Sequence, residues 1–229
     1  MSKRFIHVGD YDFPKLVTEN VNNERHYVIG DELYPSITTI MGTLPSKVKG
    51  LADWRKRVGE KEASKVSTQA MSKGTAVHTM IEQYLDNELK TRFLNPIAVE
   101  SFRRLQPILD KYINNIHSQE AQLWSEHLRA AGRVDCIGEF DGKLSVIDFK
   151  TSRIEKKKEW ISDYFMQVCG YSIMWEERTG IPITQLVIMI TPTEGNPQIF
   201  IEHRDTWSKP LIEQIEYFYQ RNFNGHKRF

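Results

Sequence analysis

Two runs rich in β-branched and aromatic residues flank an Asp-Gly pair and predict a β-hairpin. The runs span residues 133–140 and 143–150, and they meet at Asp141-Gly142. A type I′ turn needs positive φ at both central residues, which this dipeptide tolerates. A two-residue loop also sets the register, with Phe140 opposite Lys143.

This register places Asp135 directly opposite Asp148, where two like charges destabilise a sheet. Lys150 lies on the same face as Asp148, because side chains two residues apart on a strand point the same way. The second run is apolar on both faces, so we expect an interior strand, in which ionised groups need a partner or a metal. Oxygen ligands suit Mg²⁺ or Mn²⁺. The alternative is that these are surface charges, or that one aspartate pairs with Lys150 or Arg133.

The pattern before the hairpin predicts a short hairpin followed by helices. Residues 26–38 alternate around Gly30-Asp31 as a hairpin does, and residues 38–85 turn helical. A second helix is predicted to begin at Pro96 after an Asn95 cap, with apolar positions continuing to Ile116. Residues 120–135 read as an extended run that leads into the central hairpin.

The pattern after the hairpin predicts an amphipathic helix over 159–178, a buried strand over 186–192, another strand over 197–203 and a helix over 207–222. Strands alternating with helices in this way indicate an α/β fold, with a mixed central sheet flanked by helices. The helix over 159–178 is the crossover that should make strand 186–192 parallel to the second hairpin strand.

Composition narrows the function classes. The net charge of +1 over 229 residues excludes a polycation, so any nucleic-acid contact must come from local basic patches, at 47–65 and 153–158. In isolation, either patch is more typical of a solvated helix face or loop. Two cysteines without a CxxC pair indicate neither a zinc site nor a disulfide framework. No apolar run reaches membrane-spanning length and the first residues lack a signal peptide, so we expect a soluble cytoplasmic protein without a membrane partner.

An ordered set of motifs resembles the PD-(D/E)xK nuclease superfamily in its RecB-type version. The set consists of Asp135, then Asp148-Phe149-Lys150, then Gln167 with Tyr171 one helical turn later. Upstream, GTAVH resembles the histidine element of the same group. The likeness covers roughly residues 34–175 and is greatest to single-stranded-DNA exonucleases of the mitochondrial genome maintenance type and their bacteriophage relatives. One departure is that no proline precedes Asp135.

The resemblance implies a restriction-endonuclease-like α/β core with an N-terminal helical region. It predicts a single nuclease domain over residues 1–229, with a hairpin and helical region over 1–118 and the catalytic sheet and helices over 119–229. It also implies partners: DNA, preferentially single-stranded, together with other replication or recombination proteins, and a host cytoplasm if the source is a phage.

The resemblance further implies a metal site for Mg²⁺, with Mn²⁺ as a substitute. Its ligands would be Asp135, Asp148 and the backbone carbonyl of Phe149, with Glu120 and His78 as further candidates. His78 can instead contact a phosphate, and without the resemblance it reads as a satisfied, partly buried histidine. Glu120 can instead be a surface glutamate, and Glu126 competes for the same role.

Among the other implied catalytic residues, Lys150 would orient the nucleophile, and a low pKa for it would require desolvation. Gln167 and Tyr171 would address DNA or Lys150, although Tyr171 alone reads as core. The DNA-binding candidates are Arg55, Arg57, Thr151, Ser152 and Lys156. Three alternatives stay open: an exonuclease of the lambda type that resects duplex DNA, a non-catalytic nucleic-acid-binding module, and a metal-dependent phosphatase.

Overall fold

A mixed five-stranded sheet forms the centre of the computed structural model, which describes residues 3–9, 11–89 and 96–223. The spatial order of the strands follows the chain order, and only the β6–β7 pair is parallel. β6 is therefore the middle strand. The strands are β4 (Ile113–Ser125), β5 (Ala130–Phe140), β6 (Lys143–Ser152), β7 (Gln185–Pro192) and β8 (Gln198–His203).

The β5–β6 hairpin has the predicted turn and register. Asp141 and Gly142 have φ values of +51° and +77°, and Phe140 pairs with Lys143. The ladder continues as far as Cys136 opposite Ile147. The next position along this register holds the two aspartates.

The crossover between β6 and β7 also follows the prediction. A 3₁₀ turn at Lys158–Trp160 leads into α5 (Ser162–Thr179). α5 ends at Gly180, whose φ of +73° is the left-handed conformation common after helices. β7 then runs parallel to β6, as expected for a crossover helix, and α6 (Arg204–Phe223) follows β8.

The N-terminal region contains a small sheet and three helices. The sheet consists of β1 (Thr18–Val21), β2 (Glu24–Ile29) and β3 (Glu32–Pro35), so the hairpin around Gly30-Asp31 is confirmed. The helical stretch divides into α1 (Ile37–Gly42), α2 (Pro45–Val58) and α3 (Glu60–Leu85). Gly59, at φ +84°, separates α2 from α3.

The helix predicted from Pro96 is shorter than expected. α4 spans Pro96–Tyr112 and Ile116 lies in β4, so its placement on the helix was wrong. The start of β4 does not show the alternation typical of a strand, because two register irregularities near Ile116 interrupt it. The predicted Asn95 cap lies outside the described residues. The expected boundary between residues 118 and 119 falls within β4.

Each face of the sheet packs against its own helices. α5, α6 and α1 cover one face through a core that includes Trp175 and Phe165, whereas α3 and α4 cover the other through Phe102 and Leu105. Because β6 contributes side chains to both cores, the carboxyl end of this strand lies between α3 and α5. Within the described ranges, we find no helix with the length and apolar character that crossing a bilayer requires.

Candidate active site

Asp135 occupies the point where the β5–β6 ladder ends. Its Oδ2 accepts a hydrogen bond of 2.9 Å from the backbone N–H of Phe149 and lies 3.5 Å from His78 Nδ1. Burial raises the pKa of Asp135, but His78, Lys150 and the Phe149 N–H favour the charged form more strongly and leave this pKa below its usual value. Asp135 is therefore held as a carboxylate.

Asp148 is buried and has two side-chain partners. Its Oδ2 lies 2.5 Å from Lys150 Nζ, and its Oδ1 accepts a hydrogen bond of 3.1 Å from Gln167 Nε2. Burial, with repulsion from Asp135, raises the pKa of Asp148 to about 6 despite the attraction of Lys150. Asp148 thus pairs with Lys150, which is one of the alternatives considered from the sequence.

Lys150 keeps its charge in this position. Burial lowers its pKa, but attraction to Asp148 and Asp135 outweighs burial and raises the pKa above its usual value. Lys150 is desolvated, as a low pKa would require, but its attraction to the two carboxylates outweighs that effect. Lys150 is an ammonium group, which can donate hydrogen bonds but cannot accept a proton.

Gln167 and Tyr171 form a buried layer behind Asp148. Gln167 Nε2 lies 3.3 Å from the Tyr171 hydroxyl as well as contacting Asp148. Tyr171 is 2% exposed and Gln167 8%, so both face the interior, and burial raises the pKa of Tyr171 well above its usual value. The pair supports Asp148 from α5.

His78 reaches the aspartates from the opposite side of the sheet. It lies on α3, where Val77 and Ile81 are buried against the sheet, and its ring stands edge-on to Phe149 at 6.5 Å. Burial lowers the pKa of His78, but Asp135 outweighs it and leaves the pKa raised. α3 and α5 therefore supply side chains from the two faces to one carboxyl end of β6.

Glu120 lies in β4 at the position opposite Asp135. Gln119 pairs with Cys136 and Ala121 pairs with Val134, which leaves Glu120 between them with φ +51°. Positive φ is uncommon outside glycine and costs of the order of 1–3 kcal/mol. The register of β4 with β5 is the same on both sides of this residue.

The Glu120 carboxylate is only partly compensated by neighbouring cations. Burial, then repulsion from Asp135, raises its pKa to about 7, although Arg133 Nε lies 2.8 Å away. The competitor Glu126 is mostly exposed beyond the end of β4 and pairs with Arg178 at 3.6 Å. Of the two glutamates, Glu120 is the one at the site.

One atom each from His78, Glu120 and Asp135 lie within 4.8 Å of one another, close enough to ligate one ion. Two carboxylates and an imidazole are suitable donors for a divalent metal. Asp148 is not among these three residues; its Oδ1 accepts from Gln167 and its Oδ2 lies beside Lys150. The residues fit a divalent cation, since three neighbouring carboxylates concentrate negative charge there.

The predicted DNA-binding residues occupy different places. Thr151 and Ser152 follow Lys150 in β6 and line a cavity of about 640 Å³ beside α3. Lys156 lies in the next loop, where its backbone N–H and carbonyl both bond the side chain of Gln198. Of these three, Thr151 and Ser152 lie nearest to Asp148 in sequence.

Arg55 and Arg57 lie at the end of α2, a helix without a buried residue. Arg55 pairs with Glu60 at 3.0 Å, and Arg57 is exposed. Among the described residues, no hydrogen bond or ion pair joins either arginine to the carboxylate cluster.

Sequence reasoning missed the pairing of Arg133 with Glu120. Arg133 and Asp135 are two residues apart on β5, so their shared strand face is a signal that could have shown it. The positive φ of Glu120 left no such signal, because glutamate is not a residue type that favours this conformation.

Comparisons with known proteins identify a family and several relatives. A family model for the PD-(D/E)XK nuclease superfamily matches residues 51–216. Mitochondrial genome maintenance exonuclease 1 from Homo sapiens is 31% identical over 201 residues, which cover 80% of this chain and 58% of the human protein. The Xenopus tropicalis protein of the same name is 26% identical over 234 residues, covering 91% and 63%. The chain thus spans about three fifths of the length of these relatives.

A crystal structure of a protein from Eubacterium rectale aligns with a TM-score of 0.47 at 17% identity. The alignment covers 68% of this chain and 69% of that one.

Proposed function

Because this chain belongs to the PD-(D/E)XK nuclease superfamily, we propose that it is a metal-dependent exonuclease that hydrolyses phosphodiester bonds at the ends of single-stranded DNA. One observation carries the proposal. The carboxylate and imidazole cluster of His78, Glu120 and Asp135 lies directly beside the buried Asp148–Lys150 pair. An acidic site with an adjacent ammonium suits a phosphodiester, since the cation can face the anionic phosphate.

The metal would be Mg²⁺, with Mn²⁺ as a substitute. His78, Glu120 and Asp135 would hold it, and Asp148 and the backbone carbonyl of Phe149 would complete the site. When bound, such an ion supplies polarisation of the scissile phosphate and a more acidic water molecule as the nucleophile.

The role proposed for Lys150 follows from its charge. As an ammonium 2.5 Å from Asp148, it donates hydrogen bonds toward the phosphate and stabilises the negative charge that develops there. Gln167 fixes the Asp148 carboxylate, and the Tyr171 hydroxyl fixes Gln167. These two residues therefore position the carboxylate without touching the substrate.

The DNA strand would follow the hydroxyl groups of Thr151 and Ser152, with Lys156 and the basic residues Arg55 and Arg57 as outer contacts. The name of the human and frog relatives, which describes those proteins as exonucleases of mitochondrial genome maintenance, supports an exonuclease. We include in the proposal a single nuclease domain, roles in DNA repair or recombination with other proteins of those processes, and a cytoplasmic or phage-host location.

The proposal is tested with end-labelled linear DNA, single-stranded and duplex, and with closed circular single strands, in Mg²⁺ or EDTA. We expect Mg²⁺-dependent loss of the linear single strand while the circle survives. Asp148→Asn and Lys150→Ala should abolish cleavage, whereas Asp141→Asn and Lys143→Ala, the same changes at the hairpin turn, should not.

Each other outcome contradicts a stated part of the proposal. A preference for duplex ends would favour an enzyme of the lambda type, and cutting of the circle would exclude a strict exonuclease. DNA binding without cleavage in any divalent metal would favour the non-catalytic module. Hydrolysis of a small phosphate ester with no salt-sensitive DNA binding would favour the phosphatase.

A further inference from the structure

Two cations converge where β7 ends, beside the proposed active site. Lys73 Nζ on α3 donates a hydrogen bond of 2.6 Å to the Thr193 hydroxyl. Arg104 Nη1 on α4 donates to the Pro192 carbonyl at 2.9 Å and approaches the Thr193 carbonyl at 3.4 Å. The Thr193 hydroxyl in turn lies 3.3 Å from the Ser152 carbonyl. Lys73 from α3 and Arg104 from α4 are thus both held against Thr193, directly after β7.

No carboxylate pairs with Lys73 or Arg104 in the part of the chain that the structure describes. Burial, and then repulsion by Arg104, lowers the pKa of Lys73. Arg153, at the mouth of the same cavity, behaves differently because it is mostly exposed and pairs with Glu194 at 3.2 Å. Two like charges held together without an acid are stabilised by a bound anion.

The cavity beside these cations is lined by groups that bind phosphate oxygens. It has a volume of about 640 Å³ and includes Lys73 itself. Hydroxyl donors are common partners of nucleic-acid backbones. Those in this cavity belong to Thr68, Ser72 and Thr151, whereas Ser152 donates to the Ile154 carbonyl and Thr193 to the Ser152 carbonyl; apolar side chains complete the lining.

The cavity adjoins α3 and the end of β6, the elements that carry His78 and Lys150. Gly74 lies over Thr151, where an added Cβ would stand 3.5 Å from the hydroxyl oxygen, and Thr151 follows Lys150. Ser152, two residues after Lys150 in β6, pairs with Pro192, whose carbonyl accepts the hydrogen bond from Arg104. The two cations therefore lie beside the end of β6, just beyond Lys150.

We propose that Lys73 and Arg104 bind a backbone phosphate of the DNA strand, the one next to the scissile phosphate on the α3 side. This inference rests on the proposed function. Lys73 provides a compact charge and the free nitrogens of Arg104 a planar fork, while Thr193 holds the lysine in place. A phosphate fixed on this side would set how far the strand advances past the metal ligands.

The first test measures binding of a fluorescent single-stranded oligonucleotide in EDTA across a range of salt. Each lost phosphate contact should lower the slope of log affinity against log salt by about 0.7. We expect the full decrease of about 0.7 for the Lys73→Gln, Arg104→Gln double variant and a smaller decrease for each single variant, because both cations contact the same phosphate. Lys143→Gln, the same charge change at the far end of β6, is the matched control and should keep the wild-type slope.

The second test replaces single phosphates with neutral methylphosphonates and measures cleavage in Mg²⁺. In the wild type, one position beside the scissile phosphate should slow cleavage, and the Lys73→Gln, Arg104→Gln double variant should be insensitive to that replacement. Wild-type slopes in both single variants, or the same methylphosphonate profile in wild type and double variant, would overturn the proposal. A wild type that does not cleave DNA contradicts the proposed function instead, and the salt slopes in EDTA still decide whether the phosphate site exists.

Discussion

Gly132 allows Tyr171 to sit against β5, and an added methyl group at this position should disturb the site. A Cβ there would lie 2.6 Å from Tyr171 Cε1, 3.2 Å from its hydroxyl oxygen and 3.1 Å from Ile37 Cγ2. Tyr171 is 2% exposed, so its ring has little room to move. Since its hydroxyl is bonded to Gln167, and Gln167 to Asp148, we expect Gly132→Ala to impair both folding and cleavage.

The expected free energy follows from two opposing effects. Overpacking a filled core costs typically about 1–3 kcal/mol. Replacing a glycine also reduces the conformational entropy of the unfolded chain, which stabilises the folded protein by about 0.4–1 kcal/mol. Subtracting the middles of these two ranges gives a net loss of about 1.3 kcal/mol. Gly138→Ala is the matched control on the same strand, because its nearest neighbours would be an ordinary 3.5 Å away.

Urea denaturation measures both variants. With an m value of about 2 kcal/mol/M, the midpoint of Gly132→Ala should fall by roughly 0.5–1 M, and that of Gly138→Ala should stay or rise slightly. The Tyr171→Leu substitution should lower the free energy of unfolding by less in the Gly132→Ala background than in the wild type, because it removes the clash between the added Cβ at position 132 and the tyrosine ring. Equal midpoints for the two alanine variants would refute the reasoning.

Three further predictions concern charge and capping. Lys150→Ala should destabilise the protein by roughly 3 kcal/mol in a denaturation experiment, because the buried Asp148 loses its ion partner; adding Asp148→Asn should restore most of that loss, and no restoration would contradict the pairing. The pKa of Glu120 is raised from its usual 4.5 to about 7, so its contribution to stability is present below pH 4.5 and is lost as pH rises to about 7. Without added metal, the Glu120→Gln variant should therefore become more stable relative to the wild type across that pH window. Thermal melts at several pH values would show this difference. Ser36→Ala removes the side-chain cap of α1, a 3.0 Å bond from the Thr39 N–H, and should cost about 1 kcal/mol in urea unfolding, whereas an unchanged midpoint would mean that the cap contributes little.

The part of the site that could be predicted from sequence depends on a local rule. Asp141-Gly142 specifies a two-residue turn, and the turn alone sets which residues of β5 and β6 face each other. The parallel β7 followed because a helix of this length joins it to β6. Both inferences depend on residues that are close together in the sequence, so they could be made without knowledge of long-range contacts.

The contributions of β4 could not be predicted in the same way. Tyr112 and Ile116 are four residues apart, which fits a helix, yet the chain leaves α4 after Tyr112 and enters an irregular strand. The left-handed conformation of Glu120 is imposed by pairing with β5 on both sides rather than by glutamate itself. Long-range pairing decided both features, and no pattern within the segment reports it.

The two opposed aspartates do not depend on a shared metal to coexist in the fold. Asp135 has His78 from α3, and Asp148 has Lys150 from its own strand, so the chain supplies each carboxylate with a separate cation. The pKa of Glu120 is raised to about 7, because burial and Asp135 oppose its charge. A divalent cation bound there would offset this cost. Replacing this residue should weaken metal affinity more than DNA affinity, whereas replacing Lys150 should impair cleavage without weakening metal affinity.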